Sequence, residues 1–332
     1  MARVFLLIFI CFLTQQLDAV EHVAMIDAGS SGSRIFIYEI GPQQLIKLKN
    51  KLKIKPGLAE FESNLPGIKP YLNQLLEFAK KEIGKVSEVP LVLQATGGLR
   101  ALSKAKQRRV IQEAQKILLS AGFKNPKAEV ISGEAEGIYQ WKALTYLLKK
   151  QEFGLVEMGG ASLQVVFKTG SQLYSRTYEG FGETWAWNRF GPEACKDIPL
   201  EYKACRKSLD RHFKVVNQPG LEGEFYLVDY FEQLASLLKL ETLSSESLDQ
   251  LGPQICHKNL AELKTQLPKE PEYYLSRVCF QVAYMSVVLE KIGFERTRKL
   301  IAAKEIEGTA ISWTLGSLLD NMPSSQKAIG MP

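Results

Sequence analysis

MIDAGSSGSRIFIYEI, residues Met25 to Ile40, sets one carboxylate and a run of Gly and Ser between two apolar, β-rich segments. An ordinary hairpin turn is one reading, because Gly and Ser are common turn residues. A loop shaped to hold an anion is the other. Glycine lets backbone N–H groups approach a negative ligand closely, and a concave run of such groups forms an anion-binding nest. LVEMGGASLQVVF, Leu155 to Phe167, repeats the layout. Asp27 and Glu157 thus each close an apolar strand, and each small-residue loop precedes another apolar strand. Two similar lobes facing one another would aim both loops into one cleft.

Ser30, Ser31, Ser33 and Ser162 add hydroxyl donors to these loops. A carboxylate just before each loop would repel phosphate unless a divalent cation lay between them. Asp27 and Glu157 therefore predict Mg²⁺ or Ca²⁺, hard ions that take oxygen ligands and keep several waters. ISGEAEGIYQW, Ile131 to Trp141, places Glu134 and Glu136 where a strand gives way to a helix. Acidic residues are favoured there by the helix dipole; a carboxylate near bound phosphate could instead take a proton from attacking water. LQATGGLRAL, Leu93 to Leu102, adds Thr96 and the Gly97-Gly98 pair at a strand end, with Arg100 read as structural. No Lys-containing Walker loop occurs, which removes the common P-loop alternative.

The rest of the chain alternates strands with helices, the pattern of an α/β protein with mixed sheets. Ile68, Leu72, Leu75, Leu76, Ala79 and Ile83 share one face of a predicted helix, and RRVIQEAQKILLSAG is amphipathic again, with Gly122 as its stop. The 332 residues are enough for two domains sharing a cleft, and 45% hydrophobic with 23% charged is ordinary globular composition. Basic residues gather in KLKNKLKIKP (Lys47 to Pro56) and KAKQRR (Lys104 to Arg109), within a net charge of +6. Either run is a solvated face or an attractor for an anionic substrate. Both lack the aromatic interleaving that binds nucleic acid.

Arg3, the apolar run Val4 to Leu13 and Leu17-Asp18-Ala19 form a secretory signal pattern over residues 1–19. The run is too short for the ~20 residues of a membrane span. A secreted or periplasmic, monomeric protein with no span in the mature chain is expected. Cys195, Cys205, Cys256 and Cys279 then lie in an oxidising compartment, where two disulfides have three possible connectivities. Spacing favours Cys195–Cys205 and Cys256–Cys279. The absence of any CxxC pair and the scattering of His22, His212 and His257 argue against zinc.

In order, IDAGSSGSRIFIY, LQATGGLRAL, ISGEAEGIYQW, EMGGASLQVVF and ISWTLGSLL (Ile311 to Leu319) resemble the five ordered regions of the apyrase family of nucleoside triphosphate diphosphohydrolases. YSRTYEGFGETWAW resembles the stretch after the fourth. The resemblance implies the α/β fold of the actin-like ATPase superfamily, two ribonuclease-H-like lobes with the last helix returning to the first. Lobe I would be residues 20–148 plus 308–332, and lobe II residues 149–307.

It also implies roles. Glu136 would be the catalytic base, with Ser162 and Gln164 orienting the water. Ser30, Ser31, Gly32, Ser33 and Thr96 would bind phosphate from one side, and Gly159, Gly160 and Ala161 from the other. Asp27 and Glu157 would hold the metal through water, Glu157 standing where the family usually has Asp. For the nucleobase, Tyr226 in EFYLVDYF and Arg296 in GFERTRK are the matching positions. The implied substrates are nucleotides of the ATP, ADP, GTP and UTP type. An exported polyphosphate or guanosine-pentaphosphate phosphatase of the same fold, or a catalytically weak nucleotide-binding protein, are the alternatives.

Overall fold

The computed structural model describes residues 20–41, 45–195, 201–216 and 218–322. The expected secretory signal, residues 1–19, lies outside them, as do residues 323–332 of the expected first lobe. Strands β1 (Glu21–Gly29) and β2 (Gly32–Ile40) form the first small-residue hairpin, with β3 (Ile46–Ile54) at the sheet edge. Helix α1 (Ile68–Ile83) leads to β4 (Pro90–Ala95), and α2 (Gly97–Arg100) with α3 (Lys104–Leu119) leads to β5 (Lys124–Val130). The order is β3-β2-β1-β4-β5, with β4 parallel to β1. Helix α4 (Gly133–Leu148) then crosses to the second sheet.

That sheet opens with the second hairpin, β6 (Gly154–Met158) and β7 (Ser162–Thr169), followed by β8 (Gln172–Glu179). Next come α5 (Glu183–Ala194), α6 (Tyr202–His212), β9 (Phe225–Asp229), α7 (Tyr230–Leu238) and β10 (Thr242–Leu243). Helices α8 (Ser245–Cys256), α9 (Leu260–Gln266), α10 (Glu272–Leu275) and α11 (Val278–Lys291) precede β11 (Leu300–Ala302). The order β10-β11-β9-β6-β7-β8 repeats the first sheet's plan, an antiparallel meander beside a parallel strand. A ribbon of β12 (Glu305–Ile306) and β13 (Thr309–Ala310) leads to α12 (Trp313–Asn321). The expected two-lobed α/β architecture is present.

Alternation along the strands explains the layering. Ala24, Ile26 and Ala28 pack with Leu72, Leu75 and Leu118 of α1 and α3, while Val23 and Met25 face Ala143 of α4 and Leu315 of α12. In the second sheet Val156 and Met158 meet the buried α11, and Leu155 and Val166 meet Trp141 and Leu144 of α4. Helix α4 is therefore wedged between the sheets, apolar on both sides. Lysine-rich β3 is an edge strand, where charge discourages pairing with another chain. The two disulfides are Cys195–Cys205 and Cys256–Cys279, the pairing that spacing favours. Among the described residues no helix is long and apolar enough to cross a membrane.

Candidate active site

Both hairpins arrive at one recess. It is lined by Asp27, Gly29, Ser30, Ser31, Thr96, Gly97, Glu136 and Gly159 through Ser162, together with Arg34, Asp229, Tyr230 and Trp313. Small residues allow the convergence. A Cβ on Gly160 would lie 2.5 Å from Ser30 Oγ, one on Gly98 2.8 Å from Ser30 Cα, and one on Gly97 2.9 Å from Ala161 Cβ. Real Cβ atoms essentially never approach that closely. The Gly97-Gly98 turn thus fits between the loops because it lacks side chains.

Asp27 and Glu157 stand together on the wall of an adjoining cavity of about 240 Å³, which also reaches Arg34, Asp229 and Trp313. Asp27 Oδ2 accepts from Arg34 Nη1 at 3.1 Å, its partner across the hairpin. Asp27 Oδ1 and Glu157 Oε2 are buried and have no hydrogen-bond partner among the described residues. Burial raises the Asp27 carboxyl to about 6 even with Arg34 beside it, and raises Glu157 well above the usual carboxylate range. For Glu157 the nearby charges of Glu136, Asp229 and Asp27 add to burial. Orphaned buried oxygens next to the glycine-rich loops fit a divalent cation, which would neutralise them. No cluster of three or more metal-ligating side chains exists among the described residues, so waters would have to complete its shell.

Glu136 occupies the first turn of α4, whose N-cap Ser132 Oγ accepts from Ala135 N at 3.1 Å. Its carboxyl is buried and Oε2 accepts from Arg100 Nη1 at 2.8 Å. Burial pushes Glu136 up to about 7, and Arg100 opposes that rise. Helix α4 reaches the second hairpin because Gly137 meets Gln164 and Val166, where a Cβ would lie 2.9 Å from the Val166 side chain. Gln164, opposite Glu157 in register, donates from Nε2 to Ser162 Oγ at 3.0 Å. The structure thus brings Asp27, Ser30, Ser31, Thr96, Glu136, Gly159 through Ser162, Glu157 and Gln164 to one place.

Four expected residues lie elsewhere. Gly32 and Ser33 begin β2 of the first hairpin and are not among the residues lining the recess. A Cβ on Gly32 would lie 2.4 Å from Ile54 O, and Ser33 N donates to Tyr71 Oη at 3.1 Å. Tyr226 is buried edge-on against Phe153 with Lys150 over its ring, on the sheet face that packs α4. Arg296 pairs with Asp249 at 2.6 Å and Glu290 at 2.7 Å. Neither is among the residues lining the recess or its two adjoining cavities: strand alternation turns Tyr226 toward α4, and two carboxylates hold Arg296.

A second cavity of about 300 Å³ extends from the recess, sharing Arg34, Asp229 and Tyr230 with it and adding Lys53, Gln233, Glu270, Tyr274 and Gln281. Burial, then repulsion from Arg34, lowers the Lys53 ammonium to about 8. Asp229, at the β9–α7 junction, has φ of 59°, a conformation uncommon for a non-glycine residue and concentrated at functional positions. Sequence reasoning gave Asp229 and Tyr230 no role, although they belong to the quoted EFYLVDYF stretch. Arg34 and Trp313 sit inside the first and fifth motifs, which was their available signal.

The chain matches the model of the GDA1/CD39 (nucleoside phosphatase) family over residues 14–186 and 193–330. It belongs to that family. Among relatives, Probable apyrase 4 of Arabidopsis thaliana is 24% identical over 91% of this chain and 80% of its own length. Ectonucleoside triphosphate diphosphohydrolase 1 of Mus musculus is 23% identical over 95% of this chain and 84% of its own. A nucleoside triphosphate hydrolase structure from Neospora caninum superposes with a TM-score of 0.65 at 13% identity, covering 94% of each chain. A Ppx/GppA family structure from Aquifex aeolicus also gives a TM-score of 0.65, at 17% identity over 92% of this chain and 100% of that one. Both structural likenesses support the two-lobed fold; the nucleoside phosphatase family rests on the sequence match.

Proposed function

We propose that the chain hydrolyses nucleoside triphosphates, and diphosphates as well, releasing phosphate by in-line attack of a water that Glu136 deprotonates. The observation that carries this reading is one recess lined at once by both small-residue hairpins and by buried Glu136. Asp27 and Glu157 would hold Mg²⁺ or Ca²⁺ through waters, and the bound ion would neutralise charge on the phosphates. Ser30, Ser31, Gly159, Gly160 and Ala161 would hold the phosphate tail with hydroxyl and backbone N–H groups. Ser162, fixed by Gln164, would orient the water beside Glu136. As its oxygen bonds to the terminal phosphorus, its proton passes to Glu136 and the bond to the leaving phosphate oxygen breaks. Catalysis of this kind is mainly positioning and charge stabilisation.

The 300 Å³ side cavity would take the nucleoside, with Tyr230 and Tyr274 as its ring surfaces. A polyphosphate hydrolase would have no use for that cavity. The two disulfides support an oxidising destination outside the cytoplasm, and action there as a monomer completes the proposal. Phosphate release should be measured from nucleoside tri- and diphosphates, polyphosphate and pyrophosphate, with Mg²⁺, Ca²⁺ or EDTA. Metal-dependent release from nucleotides supports the reading. Turnover of polyphosphate alone, or turnover undiminished by EDTA, would reject it.

A further inference from the structure

Arg100 spends all three edges of its guanidinium on α4 and the second sheet. Nη1 donates to Glu136 Oε2 at 2.8 Å, Nη2 to Ser162 Oγ at 2.9 Å, and Nε to Glu179 Oε1 at 2.9 Å. Glu136 rides on α4, whereas Ser162 and Glu179 are a cross-strand pair of β7 and β8 in the second sheet. One planar group therefore grips the carboxyl on one element and both members of a rung on another. Planarity matters here: a guanidinium fixes the angles between its partners, which an ammonium cannot.

Neither Arg100 nor Glu179 lines the recess of the phosphate loops. Glu179 is also 56% exposed at its side chain, against 12% for Arg100 and 11% for Glu136. An ion pair so open to water is worth little to stability, typically about 0–1 kcal/mol. Yet it holds the Arg100 side chain, which bonds both Glu136 and Ser162.

On the reading that Glu136 is the base, we propose that Arg100, aimed by Glu179, is a positioning residue. It registers the carboxylate on α4 against the water-orienting hydroxyl of the second sheet. Misplacement of reacting groups by about 1 Å costs on the order of 10²-fold in rate. Substrate affinity should be untouched, because neither residue lines the recess.

Steady-state kinetics and melting of Glu179→Gln, Arg100→Lys and the double variant test this, with Glu136→Gln alongside. The expected result for Glu179→Gln is a kcat lower by about tenfold, a fraction of the ~10² cost of a full 1 Å displacement. Its KM and melting temperature should match those of the unaltered protein. Arg100→Lys should lose more, and adding Glu179→Gln to it should cost nothing further, since the group it aims is gone. The proposal is overturned by wild-type kcat in Glu179→Gln, by a loss carried in KM, or by equal losses in both backgrounds. A Glu136→Gln enzyme at full speed would instead sink the assignment of the base.

Discussion

Glu157 and Gln164 face each other across a single rung of the second hairpin. One presents a buried oxygen with no partner among the described residues, and the other holds Ser162 by its amide. The metal end and the water-orienting end of the proposed site are thus neighbouring positions on two paired strands. Divalent metal should raise the melting temperature, because a ligand that binds only the folded state stabilises it by about 2.7 kcal/mol at a hundred times its Kd. In Asp27→Asn and Glu157→Gln that increment should shrink sharply. Thermal melts with EDTA, Mg²⁺ and Ca²⁺ read it directly, without any measurement of turnover.

The buried carboxyls give activity and metal-free stability opposite pH dependences. As the proposed base, Glu136 would have to be ionised to take a proton, so turnover should fall as pH drops through about 7. Its folded value lies above the ordinary 4.5, so the folded state holds a proton that the unfolded chain has lost between those limits. The resulting stability is full below about 4.5 and disappears as pH rises through about 7. Asp27 acts in the same sense up to about 6. Metal-free protein should therefore melt higher at pH 6 than at pH 8, and Glu136→Gln should flatten that slope. Turnover of Glu136→Gln should fall by about 10²–10⁴-fold with nucleotide still bound, the usual worth of a general base.

Tyr226 and Tyr274 separate packing from recognition. Tyr226→Ala removes a buried ring from a cluster with Phe153, Trp141 and Leu155, at a cost of about 3–5 kcal/mol. The KM of the fraction that remains folded should be unchanged. Tyr274→Ala, on the wall of the side cavity, should raise the KM for nucleotides and leave that for inorganic polyphosphate or pyrophosphate alone. Equal KM values for nucleotides in both variants would place the nucleoside somewhere else.

Gly316 is the contact point of α12 on α4. A Cβ there would fall 1.7 Å from Tyr139 O, so Gly316→Ala must push the helices apart. Overpacking of this kind costs about 1–3 kcal/mol or more. Because α4 carries Glu136, kcat should drop with stability. Gly220→Ala, where a Cβ meets nothing within 4 Å, is the matched control for melting and turnover.

The hairpins, their carboxylates and Glu136 could be read from the sequence because each is a short local word: apolar strand, acid, small residues, apolar strand. Strand period, helix faces and cysteine spacing likewise carry their signal within a few neighbours. What escaped depends on distant contacts. Whether Tyr226 faces a cleft or a core is settled by α4 packing on that sheet face, and Arg296 by carboxylates of α8 and α11. Arg100, read as structural, acquires its meaning only when β7 and β8 close over it. Asp229 gave no signal at all, since a strained backbone angle leaves no mark in composition.

The glycines behind the hairpins bear on how this scaffold can diversify. A side chain at Gly57 would strike Ser30 O at 2.4 Å and one at Gly182 would strike Ala161 N at 2.3 Å, so backbone seals both loops from the rear. Drift there is blocked by atoms that no rotamer change can move. The side cavity, by contrast, is walled by replaceable groups such as Gln233, Glu270 and Tyr274. If the loops hold phosphate as proposed, descendants of this chain would inherit a frozen grip on the anionic tail and remain free to trade one leaving group for another.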